Sequence, residues 1–139
     1  MVRSWRFCGV VAVLLMLGCA KERPRPLDPV WGKQPCAHCS MLVSERATAA
    51  QLTTVAGERL FFDDLGCLIG ATHERGLHVS GSWTRDMDGK EWIEVSSTRY
   101  MEGARTPMDF GFMAAGGDAG LLYDEVETRV LARLRAGGR

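Results

Sequence analysis

The sequence predicts an α+β fold: two small ββα(β) units, the second shortened, behind an apolar N-terminal leader and a proline-rich tether. Three observations predict it. Short apolar or alternating runs separated by Gly-containing turns read as strands. Two later segments carry apolar residues at helical spacing. The order strand, strand, helix, strand then recurs in a more degraded form, which is the element pattern of α+β domains. A chain of 139 residues, 46% hydrophobic and 24% charged, is the size of one ordinary domain and too apolar for wholesale disorder. Basic and acidic residues balance at 17 each, which argues against a nucleic-acid binder with its basic face.

The first 18 residues read as an address. Met1 to Arg6 is short and basic, and Phe7 to Leu17 is an apolar run of 11 residues, too short to span a bilayer, which takes about 20 as a helix. It fits the apolar middle of a secretory signal. The run closes on Leu15-Met16-Leu17-Gly18-Cys19, which resembles the lipobox of bacterial lipoproteins. That resemblance implies cleavage before Cys19 and lipidation of Cys19, and Ala20 in place of an aspartate favours the outer membrane. Several acyl chains anchor far better than one. Removing residues 1–18 takes away Arg3 and Arg6 and no acid, leaving net −2. Residues 19–35 hold four of the five prolines and read as an extended tether, and 36–139 as the functional domain.

Within that domain, Ala50–Val55 and Glu58–Asp63 flank Ala56-Gly57 as a β-hairpin ending in the buried pair Phe61-Phe62. Asp63 is placed to cap a helix, with Asp64 in its first turn. Leu65, Leu68, Ile69 and Thr72 share one face of that helix, which Gly76 ends. Leu77–Trp83 is the next strand, Asp88-Gly89 a turn, and Glu91–Ser97 another strand. Arg99–Glu102, Asp109–Ala114 and Leu121–Tyr123 follow as shorter strands, with a loop over 103–108. Asp124 and Glu127 make a capping-box-like start to a last helix striped by Val126, Val130, Leu131 and Leu134.

Cys36-Ala37-His38-Cys39 is the centre of the chemistry. A redox Cys-x-x-Cys sits at the start of a helix after a buried strand; here a proline-rich stretch precedes it and no amphipathic helix follows. Structural zinc wants four ligands, usually two such pairs, and only one pair is present, with His38, His73, His78 and Cys67 as supplements. A copper(I) site selects thiolates and thioethers, which Cys36, Cys39, Met41 and Met108 supply. A plain structural disulfide suits an oxidising compartment. Cys67 lies about 200° round the helix from Leu65, off the apolar stripe. It reads as an exposed spare thiol or one facing the second unit, and not as a primary ligand. His73 and His78 read as surface residues, Asp63 and Asp64 as capping groups, and no catalytic arrangement predicts an enzyme.

Pro35-Cys36-Ala37-His38-Cys39-Ser40-Met41 resembles the Cys-x-x-Cys-Gly-Met signature of the NosL family. Phe61-Phe62-Asp63-Asp64-Leu65-Gly66-Cys67 is similar to the segment that follows in one branch of that family. Arg85-Asp86-Met87, Trp92-Ile93 and Thr106-Pro107-Met108-Asp109-Phe110-Gly111 keep the family's order and spacing, so the resemblance runs from Pro35 to Gly111. It implies a fold of two small ββαβ-like units and a membrane-anchored, periplasmic copper(I)-binding accessory protein. Such proteins deliver copper to nitrous oxide reductase or its membrane assembly machinery. Cys39 and Met108 match the most characteristic ligand positions, Cys36 a more variable one, and Met41 or His38 a further ligand. Ser40 and Asp109 stand where the family commonly has glycine. The rival expectation is a periplasmic thiol-disulfide oxidoreductase using Cys36 and Cys39.

Overall fold

A computed structural model describes residues 22–137. The expected signal sequence and the expected lipidation position, Cys19, lie outside the described residues. Among the described residues, six strands and two α-helices make a mixed α+β architecture. β1 (Ala50–Thr54) and β2 (Arg59–Phe62) form the expected hairpin, with Leu52 opposite Leu60 and Ala50 opposite Phe62. β3 (Val79–Arg85) pairs with the other edge of β1, and β4 (Trp92–Glu94) with β3, giving an antiparallel sheet in the order β2-β1-β3-β4. β5 (Arg99–Glu102) and β6 (Phe112–Ala115) form a separate two-stranded sheet.

α1 (Leu65–Glu74) packs against β1 and β2, and α2 (Tyr123–Ala136) packs against α1 and β5. The core joins Leu52, Phe62, Leu68 and Ile69 to Tyr100, Phe112, Val126 and Val130, so both sheets and both helices share one apolar interior. None of the described helices is long and apolar enough to cross a membrane.

Local chemistry moved several expected boundaries. Asp64, not Asp63, caps α1: its Oδ1 accepts from the Gly66 amide at 2.8 Å, while Asp63 Oδ1 accepts from Ser44 N at 3.1 Å. The strand expected over Glu91–Ser97 stops at Glu94, because Val95–Ser97 turns as a 3-10 segment and the Tyr100 hydroxyl donates to Val95 O. The strand expected from Asp109 starts at Phe112, since Asp109 and Gly111 have φ of +59° and +76°, incompatible with extended pairing. Leu121 makes one bridge to Tyr100 rather than a strand. α2 begins a residue before Asp124; the Glu125 carboxylate accepts from Leu122 N at 2.8 Å, which puts the returning half of the capping box at Glu125 and not Glu127.

The proline-rich segment leans on the sheet. Gln51, buried in β1, donates its side-chain amide to Leu27 O at 2.8 Å and accepts from Leu27 N at 3.0 Å. Asp28 Oδ1 accepts from Trp92 Nε1 at 2.8 Å and pairs with Arg85. Arg85, 3% exposed, packs its guanidinium over Trp92 (4.1 Å) and Trp31 (5.2 Å), a cation–π arrangement favoured where water is excluded.

Candidate metal centre

The two cysteines of the Cys-x-x-Cys lie on a tight hairpin loop and not on a helix. Pro35 and Leu42 form a bridge, Cys36 N donates to Met41 O at 2.7 Å and Ser40 N to Cys36 O at 3.1 Å. Ala37 N donates to Phe61 O at 2.9 Å, which fastens this loop to the end of β2 just before α1. Ser40, at the position where the resembled family has glycine, takes φ +66°. The turn therefore keeps a left-handed residue although a side chain is present, and so does the loop at Asp109.

The third cysteine arrives from α1. Cys67 lies in the first turn of the helix and is fully buried, and the Sγ atoms of Cys36, Cys39 and Cys67 all lie within 4.8 Å of one another. This corrects the expectation for Cys67. The stripe argument assumes a helix with a solvent face, yet every residue from Leu65 to Ala71 is buried. The sheet covers one side of α1, and the cysteine loop, α2 and the Phe110 loop cover the rest. Gly66 and Gly70 permit that close cover. A Cβ on Gly66 would lie 2.1 Å from Phe110 Cγ, and one on Gly70 would lie 2.9 Å from His38 Nε2. The legible signal in the sequence was the pair of glycines bracketing Cys67, which marks a helix approached closely on more than one face.

The three thiols differ electrostatically. Cys36 is brought down from the ordinary 9.0 to about 5, foremost by the hydrogen bond from Cys67; burial opposes this, and the amides of Cys39, His38 and Asp63 assist. Cys67 is pushed up strongly by that shared bond to Cys36 and then by burial. Cys39, only half-buried, is pushed up by burial. Of the pair, Cys36 is the thiol that ionises more readily and Cys67 the one that keeps its proton. A metal bound by all three would displace the remaining protons.

Cys39 and Met108 line one open cleft of about 610 Å³ together with His38, Glu74 and Arg133. Met108 is 37% exposed. Its loop is tied down by Asp109 N donating to Thr106 O (3.1 Å), Gly111 N to Thr106 Oγ1 (3.0 Å) and Arg133 to Phe110 O. His38 bonds Glu74 through Nε2 at 3.1 Å, and its buried Nδ1 has no partner among the described residues. It stays outside the three-sulfur group. Met41 contributes its carbonyl to the turn; its side chain is 48% exposed and away from the cleft lining. His73 pairs with Glu127 at 3.0 Å across the two helices.

Three mutually close cysteine sulfurs, two of them buried, can hold a metal ion. The chain matches no protein-family model, no curated protein and no solved structure.

Proposed function

We propose that this chain is a copper(I) carrier that holds its cargo on Cys36, Cys39 and Cys67 and exposes it to a partner through Cys39 and Met108. The observation that carries the reading is the convergence of three sulfurs beside a cleft that also holds a thioether. All-sulfur donors suit copper(I), whereas a structural zinc site wants a fourth ligand and enclosure. Half-exposure of Cys39 and Met108 suits an ion that must be handed on. The NosL-like motifs favour the same cargo. They also favour the two-unit ββα(β) fold, a lipid anchor at Cys19 on the periplasmic face of a bacterial outer membrane, and no enzymatic turnover. The receiving partner is then a periplasmic copper enzyme, nitrous oxide reductase or one like it, with its membrane assembly machinery.

An anaerobic titration of the reduced protein with copper(I) against a competing chelator tests this. One ion should bind per chain. Cys39→Ser and Cys67→Ser should each weaken binding severely, and Met108→Leu by a smaller factor. Binding that ignores Cys67 would remove the three-sulfur site. Binding no tighter than a thiol peptide, with disulfide exchange toward a protein client instead, would favour the oxidoreductase. The position of the thiolate argues against that rival: the depressed thiol, Cys36, is 3% exposed, while the half-exposed Cys39 is pushed up. An attacking thiol needs both thiolate character and access.

A further inference from the structure

Asp64 does more than a helix cap requires. A cap needs one oxygen, and serine, threonine or asparagine serve as well as aspartate. Asp64 is fully buried, where an ionised carboxylate is costly unless its oxygens are bonded. One oxygen, Oδ1, accepts from the Gly66 amide at 2.8 Å and starts the helix that carries Cys67. The other, Oδ2, accepts from the backbone amide of Met108 at 3.2 Å, 44 residues away in sequence. The Asp64 backbone carbonyl accepts from Cys67 N at 3.0 Å. One residue is therefore bonded to the amides of two sulfur-bearing residues on separate elements.

We propose that Asp64 is a positioning residue for the metal centre, holding the Met108 thioether in register with the Cys67 helix through its second carboxylate oxygen. This rests on Met108 being a ligand in the carrier reading above. Outer partners of this kind orient the groups that touch the metal, and their loss commonly costs ten- to a hundredfold in affinity. The two functions of the carboxylate are separable. Asp64→Ser retains an oxygen for Gly66 N but is too short to reach Met108 N. Asp64→Asn keeps one carbonyl oxygen for Gly66 N and turns an NH2 toward the Met108 amide, donor against donor.

The test is a double-mutant cycle of copper(I) affinity under anaerobic chelator competition, combining Asp64→Ser and Asp64→Asn each with Met108→Leu. The expected result is a loss of roughly ten- to a hundredfold for Asp64→Ser. The loss should be similar for Asp64→Asn, comparable to Met108→Leu, and no greater in the double variants. A general role in stability would behave otherwise. Loss of the Oδ2 bond would then lower the unfolding midpoint and weaken binding further in the Met108→Leu background, which overturns the proposal. Unchanged affinity in both Asp64 variants, with Met108→Leu weakened, overturns the positioning role and leaves the carrier reading intact. Unchanged affinity in Met108→Leu itself removes the thioether ligand, and the role of Asp64 with it.

Discussion

Cys36 and Cys67 show how two identical side chains acquire opposite acid–base behaviour by sharing one proton. The thiolate belongs to Cys36, held low foremost by the Cys67 hydrogen bond, while Cys67 is held high by the same contact. Linkage then fixes a sign. Between about 5 and 9 the folded protein has already released the Cys36 proton and the unfolded chain has not, so stability should rise with pH across that window. Above 9 the unfolded chain releases the Cys67 proton that the folded one retains, and the slope should reverse. Denaturant titrations of the reduced, metal-free protein at a series of pH values measure this. Cys36→Ser should flatten the rise, and an unaltered slope in that variant would remove the thiolate assignment. Ser40 and Asp109 belong to the same scale. Both occupy left-handed backbone at turns flanking candidate ligands, Cys39 and Met108. Resemblance to a glycine-bearing motif was readable in the sequence, but the conformation that explains the motif was not.

α1 is the element that joins the parts of the site. Its first two turns are enclosed on every side, and its glycines are where neighbours come closest. Gly66→Ala would drive a methyl into the Phe110 ring, 2.1 Å away, and overpacking of this kind costs about 1–3 kcal/mol. Phe110 lies two residues after Met108, so the same variant should also weaken copper(I) binding. Gly70→Ala should be milder. Its contact is the end of the His38 ring at 2.9 Å, and alanine recovers up to about 1 kcal/mol of helix propensity over glycine. Chemical unfolding of the two variants side by side checks the ranking; a Gly66→Ala protein as stable as the parent would contradict the close approach. The hairpin of β1 and β2 was legible beforehand, because its turn residues and apolar runs are local. α1 was legible as a helix and misread as amphipathic, since its enclosure comes from Phe110, His38 and α2, all distant in sequence.

Across the whole molecule, the segment before the cysteine loop is built into the main sheet through Gln51, Asp28, Arg85 and Trp92. Arg85 is a buried cation whose bonds go to Asp28 and the Lys90 carbonyl. Asp28→Ala should cost about 1.5–3 kcal/mol, the range for a lost bond to a charged group. It should also release amide protection at Leu27 while leaving copper(I) affinity within twofold, because the three sulfurs lie on other elements. Hydrogen exchange and the chelator titration together read both effects. Intact protection at Leu27 in that variant would show that the remaining ties, Gln51 to Leu27 and Arg59 to Arg25 O among them, suffice to hold the segment.

Local chemistry is legible in the order of the residues. The α+β class, the β1–β2 hairpin, the two helices and the Cys36–Cys39 pair all follow from residues close together in the chain. A resemblance spread over short motifs singled out Met108. The tertiary structure decided what depends on distant residues meeting: the recruitment of Cys67, the cleft shared by Cys39 and Met108, and the two-way bond of Asp64. Periodicity reports how one element divides its faces between two environments. It is silent about a helix covered on all sides, and the third sulfur lay on such a helix.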